Sequence, residues 1–222
     1  MHRLFFLGSA IFMIVAPLAC NRATASNTRI PDPVLDAPLA TSKGEQTAVI
    51  AGGCFWGLEA VFKHVKGVID VTSGYSGGLA ETAHYEMVST GKTGHAESIR
   101  IKYDPSQISY GQLLKVFFSV AHDPTELNRQ GPDRGTQYRS AIFYSNEEQK
   151  RIAQAYVEQL NQSKVFGRPM VTQVVVLQSF YEAEAYHQDY LVHHPDEPYI
   201  VINDLPKVEN LRKQFPELYK AK

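Results

Sequence analysis

Thr47-Ala-Val-Ile-Ala51-Gly52-Gly53-Cys54-Phe55-Trp56-Gly57 passes from one kind of secondary structure to another within a few residues. Thr47 to Ala51 is a β-branched and alanine run suited to a buried strand, and Gly52 and Gly53 permit a sharp turn. Leu58, Val61, Phe62 and Val65 then recur at i, i+3, i+4 and i+7, the apolar face of a helix. Cys54 therefore sits where strand hands over to helix. Unpaired N–H groups and the positive end of the helix dipole stabilise a thiolate there, and the thiolate is the nucleophile. A lone cysteine is more often a small apolar filler. The glycine-flanked turn, the helix start and the adjacent aromatics favour the reactive reading.

Upstream, residues 1–25 have the pattern of an export signal: Arg3, an apolar run from Leu4 to Leu18, then small residues ending in Ala23-Thr-Ala25. The run falls short of the roughly 18 apolar residues that a bilayer span needs, so the mature protein is expected to be exported, periplasmic or membrane-anchored. Two processing readings stand side by side. Ala-x-Ala predicts cleavage after Ala25, whereas Leu18-Ala19-Cys20 looks like a lipoprotein box with Cys20 as the lipid anchor. Residues 26–46, rich in Pro, Ala, Ser and Thr, read as a flexible linker. The rest of the chain is long enough for one domain, expected over 47–205, with a C-terminal helical tail over 206–222 packed on it. A net charge of −1 with dispersed charges leaves no basic face for nucleic acid or a membrane. A monomer is expected.

Downstream, Val68 to Thr72 reads as a strand ended by a turn at Gly74-Tyr-Ser-Gly-Gly78. Ala96 to Tyr103 alternates strictly, with Ser98, Arg100 and Lys102 on one face and Glu97, Ile99, Ile101 and Tyr103 on the other. On the core side Glu97 would resist ionising and keep a proton near neutral pH, as a general acid must; a frayed strand end would make it a surface charge, and alternation alone leaves both open. Ser109-Tyr-Gly-Gln112 is a capping box before a strongly apolar helix. The loop from His122 to Arg139 is long and polar, a common place for function, with Asp133, Gln137 and Tyr138 as its candidates. Ala141 to Tyr144 reads as a strand, Asn146 to Gln149 as a helix cap, Met170 to Leu177 as a strand buried on both faces, and Glu182 to His194 as a helix. His187, His193 and His194 lack the i, i+4 pairing of a helical zinc site, so no metal is expected. Irregularly mixed strands and helices indicate an α+β fold.

Gly53-Cys-Phe-Trp-Gly57, Gly74-Tyr-Ser-Gly-Gly78, Thr93-Gly-His-Ala-Glu97 and Gly135-Thr-Gln-Tyr-Arg-Ser140 together resemble the motifs of the A-type peptide methionine sulfoxide reductases, in the family's order, from about Thr47 to about Phe215. The resemblance implies an α/β plait related to the ferredoxin-like arrangement. It also implies roles. Cys54 attacks the sulfoxide, Glu97 supplies a proton, and the hydroxyls of Tyr85 and Tyr138 bond the sulfoxide oxygen. Asp133 orients water or a tyrosine, and Tyr199 lies near the pocket rim. By pattern alone Tyr85 is an ordinary surface tyrosine. Phe55 and Trp56, beside the nucleophile, are suited to enclose an S-methyl group through sulfur–aromatic contact, although as core residues they would need no function.

Such an enzyme needs no bound cofactor. Its implied substrate is the S-epimer of methionine sulfoxide, free or in oxidised proteins, and the product is a Cys54 sulfenic acid. Many relatives carry resolving cysteines near the C-terminus, but Tyr199 to Lys222 contains none. An external reductant, a thioredoxin-like protein or a small thiol, is therefore implied. Two rivals remain: a papain-like thiol hydrolase using Cys54, His187 and Asn203, and an aromatic-rich binding module with a structural cysteine.

Overall fold

The computed structural model describes residues 30–221. Among these, β1 (Gln46–Ala51) is a central strand. It pairs antiparallel with β3 (Ala96–Tyr103) on one side, Ile50 opposite Ile99, and with β6 (Ala141–Tyr144) on the other, Ile50 opposite Ile142. Its four residues from Ala48 to Ala51 are buried, as the β-branched run required. With β2 (Val68–Ser76), β7 (Gln173–Val176) and β8 (Phe180–Glu182), a six-stranded sheet forms in the order β7-β6-β1-β3-β2-β8. Only the β6–β7 pair is parallel.

Two β-α-β units interleave in that order. The first joins β1 to β2 through α1 (Phe55–Lys63), and the second joins β3 to β6 through α3 (Tyr110–Val116), after the short α2 (Tyr85–Val88). Strict alternation sends Ile50, Ile99, Ile101 and Ile142 into one large core with Leu58, Val61, Phe62, Leu113 and Leu114. Val49, Ala51, Ala141 and Phe143 point the other way into a small cluster roofed by Leu177 and Phe180. The capping box at Ser109 and Gln112 is complete in both directions, and α3 runs on into a π-type segment, Phe117–Ala121. Asn146 caps α4 (Glu147–Ser163) by accepting the Gln149 N–H at 2.9 Å. Near the C-terminus α6 (Leu205–Gln214) lies against α1, with Leu211 buried.

Several sequence expectations need correction. The strand from Val68 does not end at Thr72 but continues through Tyr75, whose backbone pairs with Glu97 and Tyr181 and whose hydroxyl bonds Glu184 at 2.8 Å. The Met170–Leu177 run is not buried on both faces. It supplies β7 at the sheet edge, so Val175 and Val176 stay 37 % and 48 % exposed. Glu182 to His194 is not one helix: β8 ends in it, a 3-10 turn spans Ala185–His187, and α5 covers only Tyr190–His193. Gln188 explains the break, because its side chain bonds the Ser73 backbone N–H at 2.9 Å and carbonyl at 3.0 Å. The loop from His122 to Arg139 holds a two-strand ribbon, β4 (Arg129–Gln130) and β5 (Asp133–Arg134).

The described part of the expected linker is docked rather than free. Ile30 is buried, the Tyr156 hydroxyl donates to the Pro31 carbonyl at 2.7 Å, and Lys115 pairs with Asp32 at 2.6 Å. Asp36 accepts from the Gly111 N–H at 2.7 Å and from the Ser109 hydroxyl at the start of α3. Composition suggested a tether, but these specific acceptors outweigh it. The expected signal over 1–25 and the Cys20 anchor lie outside the described residues.

Replacing Asp36 with alanine removes the carboxylate that holds this segment on α3. Urea unfolding is expected to show a loss of about 1–3 kcal/mol, with the reactivity of Cys54 toward a thiol reagent unchanged; undiminished stability would mean that the segment is not anchored there.

Candidate active site

The turn out of β1 positions the site. Gly53 has φ +99°, and a Cβ there would stand 2.6 Å from the Gln130 side chain, so neither the backbone nor the space admits another residue. Cys54 follows as the N-cap of α1, only 7 % exposed. Its side chain makes no capping hydrogen bond. The Phe55 N–H instead donates to Oε2 of Glu97 at 3.2 Å.

Glu97 is 2 % exposed, on the core face of β3, which decides between the two readings that alternation left open. Burial raises its pKa from the ordinary 4.5 to about 8, with Asp133 and Asp204 adding to the rise and the Phe55 N–H opposing it. At neutral pH Glu97 therefore carries a proton. Cys54 departs from its expectation. Burial pushes the thiol well above its ordinary pKa of 9.0, and negative charge on Glu97, when it ionises, and on Asp204 pushes the same way, against the Trp56 N–H and Lys207. A helix end is worth about 0.3–1 kcal/mol to a nearby charge, too little to offset burying an anion beside two acids. The resting group is a thiol.

The two predicted phenols converge on this pair. Burial, then Glu97, raises the pKa of both Tyr85 and Tyr138, and Cys54 contributes to each, so both hydroxyls remain donors in the same pocket. Tyr85 opens α2 and is held by Glu184, which accepts its N–H at 2.8 Å. Tyr138 ends a 3-10 turn after β5. The third loop candidate, Gln137, turns away to donate to the Ser89 carbonyl at 3.0 Å. Asp133 accepts the Tyr199 hydroxyl at 2.5 Å, which joins two predicted site residues 66 positions apart.

The aromatic wall is wider than the sequence reading foresaw. Trp56 stacks on Tyr190 at 3.7 Å with an interplanar angle of 5°, and meets Tyr199 edge-on at 5.9 Å. Its indole N–H donates to Nδ1 of His187 at 3.2 Å. His187, weighed in sequence only as a metal ligand or hydrolase histidine, is 2 % exposed between Phe55 and Tyr85 at ring distances of 5.0 and 4.7 Å. Burial lowers its pKa, so it is a neutral acceptor for tryptophan. Asn203 donates to the Tyr199 carbonyl at 3.0 Å, a backbone role that argues against the hydrolase reading. Tyr190, Glu184, Asp204 and Lys207 were missed. The spacing of Asp204 and Lys207 across a helix start was readable as an ion pair, but not its burial beside Cys54. Among the described residues no group of His, Cys, Asp and Glu is arranged to hold a metal.

A buried thiol at a helix start, facing a protonated carboxyl and two phenols in an aromatic cup on an α+β sheet, defines a thiol-dependent enzyme. The model of the peptide methionine sulfoxide reductase family matches residues 46–219, and the chain belongs to that family, A type. It is 59 % identical over 179 residues to peptide methionine sulfoxide reductase MsrA 2 of Mesorhizobium japonicum, covering 81 % of this chain and 92 % of the relative. With the Synechocystis MsrA 2 it shares 56 % over 194 residues, 86 % and 91 % of the two chains. Among solved structures, methionine sulfoxide reductase A of Corynebacterium diphtheriae superposes with a TM-score of 0.63 at 34 % identity, over 77 % of this chain and 89 % of that one.

The raised pKa of Glu97 has a thermodynamic signature. The folded chain keeps a proton that the unfolded chain releases, so this contribution is full below about 4.5 and is lost as pH rises to about 8. Relative to Glu97→Gln, wild-type stability in urea is expected to fall across that window; a difference independent of pH would contradict a protonated Glu97.

Proposed function

We propose that the protein reduces the S-epimer of methionine sulfoxide, free or in oxidised proteins, with Cys54 as nucleophile and Glu97 as general acid, as a repair of oxidative damage. The observation that carries this reading is the buried, protonated Glu97 bound to the helix start that Cys54 caps. A sulfoxide sulfur is weakly electrophilic, and attack on it becomes easier as its oxygen gains a proton. Glu97 supplies that proton, while the hydroxyls of Tyr85 and Tyr138 hydrogen-bond the oxygen as its charge develops. Phe55 and Trp56 receive the S-methyl group, with Tyr190 and Tyr199 backing the indole. Asp133 fixes the Tyr199 hydroxyl at the rim.

Methionine leaves, and Cys54 remains as a sulfenic acid. Between Cys54 and Lys222 there is no second thiol, so no internal disulfide forms on that side of the chain. An external thiol, from a thioredoxin-like protein or a small molecule, attacks the sulfenic acid, releases water, and a second thiol frees Cys54. No bound cofactor takes part, and the working unit is a monomer. The export pattern over 1–25 supports a periplasmic location or, through Cys20, a membrane anchor. The interleaved strand order β6-β1-β3-β2 supports the ferredoxin-like plait.

Single-turnover assays test this reading. Full-length Cys20→Ala protein, mixed with excess methionine sulfoxide and no reductant, is expected to give one equivalent of methionine and a dimedone-reactive Cys54. Steady turnover should depend on added thiol. Glu97→Gln should slow the first turnover by about 10² to 10⁴; a rate within about threefold of the parent would remove Glu97 from the role.

A further inference from the structure

Asp204 is 0 % exposed, at the junction where the π-type segment Ile200–Asp204 passes into α6. Its Oδ1 accepts a hydrogen bond from Lys207 Nζ at 3.0 Å, while its Oδ2 is buried with no hydrogen-bond partner. A carboxylate oxygen taken from water without a donor is costly, and such atoms in native structures call for an explanation.

The pair lies against the first turn of α1. A Cβ on Gly57 would stand 2.2 Å from Asp204 Oδ1 and 2.7 Å from Lys207 Nζ, so glycine is the residue that admits the pair. Cys54 is the N-cap of that same turn, three residues before Gly57, so the carboxylate packs against the turn that carries the thiol. Its charge reaches Cys54, Glu97 and Tyr199, and Asp133 acts on it in turn, while Lys207 is the cation facing Cys54 and Asp133. Of the acids in this group, Glu97 already holds a proton at neutral pH and Asp133 is occupied by Tyr199. Only Asp204 keeps a buried oxygen with no donor on it.

We propose that Asp204, anchored by Lys207, receives the Cys54 thiol proton when methionine sulfoxide enters the pocket, leaving Lys207 to face the thiolate. The inference rests on the sulfoxide reductase reading above. The step balances. The thiol proton goes to Asp204 Oδ2, the thiolate attacks the sulfoxide sulfur, and Glu97 protonates the oxygen. The S–S bond made by that attack breaks as the hydroxyl passes from the substrate sulfur to the Cys54 sulfur, so one S–O bond forms as the other breaks, giving sulfenic acid and methionine. Two electrons pass from the Cys54 sulfur to the substrate sulfur, and the proton held by Asp204 restores Glu97.

The test uses the full chain carrying Cys20→Ala, so that Cys54 is the sole thiol. Asp204→Asn keeps the shape but cannot take the proton. It also removes an anion beside the thiol, so the midpoint of iodoacetamide alkylation against pH should move down. Yet methionine formation in the first turnover should slow about tenfold or more near pH 6, and the deficit should shrink as pH approaches that midpoint and the thiol ionises unaided. A packing role gives a deficit that does not vary with pH, and a purely electrostatic role gives a faster turnover; either overturns the proposal. Should the variant fail to fold, the infrared spectrum of the folded protein with ¹³C-labelled aspartate decides: a protonated aspartate band gained during the first turnover supports the proposal, and its absence overturns it. Cys54→Ser separates the two levels. If it still forms methionine, the nucleophile assignment falls and this inference with it; if it is inactive while Asp204→Asn matches the parent, Asp204 alone is wrong.

Discussion

The hydrogen bond from the Phe55 N–H to Glu97 Oε2 ties the first turn of α1 to the middle of the sheet, and both ends of it are chemical groups of the site. Helix starts leave backbone donors unsatisfied, and serine, threonine, asparagine or aspartate ordinarily takes one up. Here the N-cap is cysteine, a poor acceptor, and a carboxyl from β3 does that work instead. The bond exists only because Ile50 pairs with Ile99 in the β1–β3 ladder. A register slip of one residue would turn Glu97 to the opposite face and leave α1 uncapped. Strand register, helix start and acid are thus one constraint.

That constraint explains the electrostatic character of the pocket. Glu97 and Asp204 act on Cys54, Asp133 acts on both of those acids, and Lys207 is the cation among them. Burial makes every charged form expensive, so the resting pocket keeps its thiol, its phenols and Glu97 protonated. A site of neutral donors suits an uncharged, strongly accepting sulfoxide oxygen. It also lowers the reactivity of the resting cysteine, because the thiolate is the nucleophile. Oδ2 of Asp204 and Nε2 of His187 are both buried without a hydrogen-bond partner, the latter 4.0 Å from Glu184 Oε2.

The parts legible in sequence were those set by short-range pattern. Alternation from Ala96 to Tyr103 put Glu97 on the same face as Ile99 and Ile101, the apolar spacing from Leu58 to Val65 gave the first helix, and Ser109 with Gln112 marked the next. The motif resemblance then supplied Tyr85, Tyr138 and Asp133, which no periodicity distinguishes from surface residues. Misreadings came where distant partners decide. Val174 to Val176 looks the same in a central strand and at an edge, and only the strand order tells them apart. Gln188 and Asp36 break or anchor their segments through acceptors and donors more than 70 residues away. The thiol was misjudged for the same reason: a helix end is visible in sequence, whereas the acids of β3 and the C-terminal segment that surround it are not.

The strand order also dictates when, during folding, the cysteine becomes protected. β1 is among the earliest elements of the domain, yet its two neighbours are β3 and β6, so Ala51 must wait for Ala141 before the centre of the sheet closes. Loop closure over such separations is slow compared with forming a helix or hairpin. Until it happens, Cys54 is an ordinary exposed thiol with none of the groups that later restrain it. Cys54 is the sole cysteine among the described residues, so no disulfide within them can trap a wrong arrangement of this region during that interval. Burial of the sulfur therefore depends on long-range pairing of β1 with β3 and β6, so its loss of reactivity reports closure of the sheet.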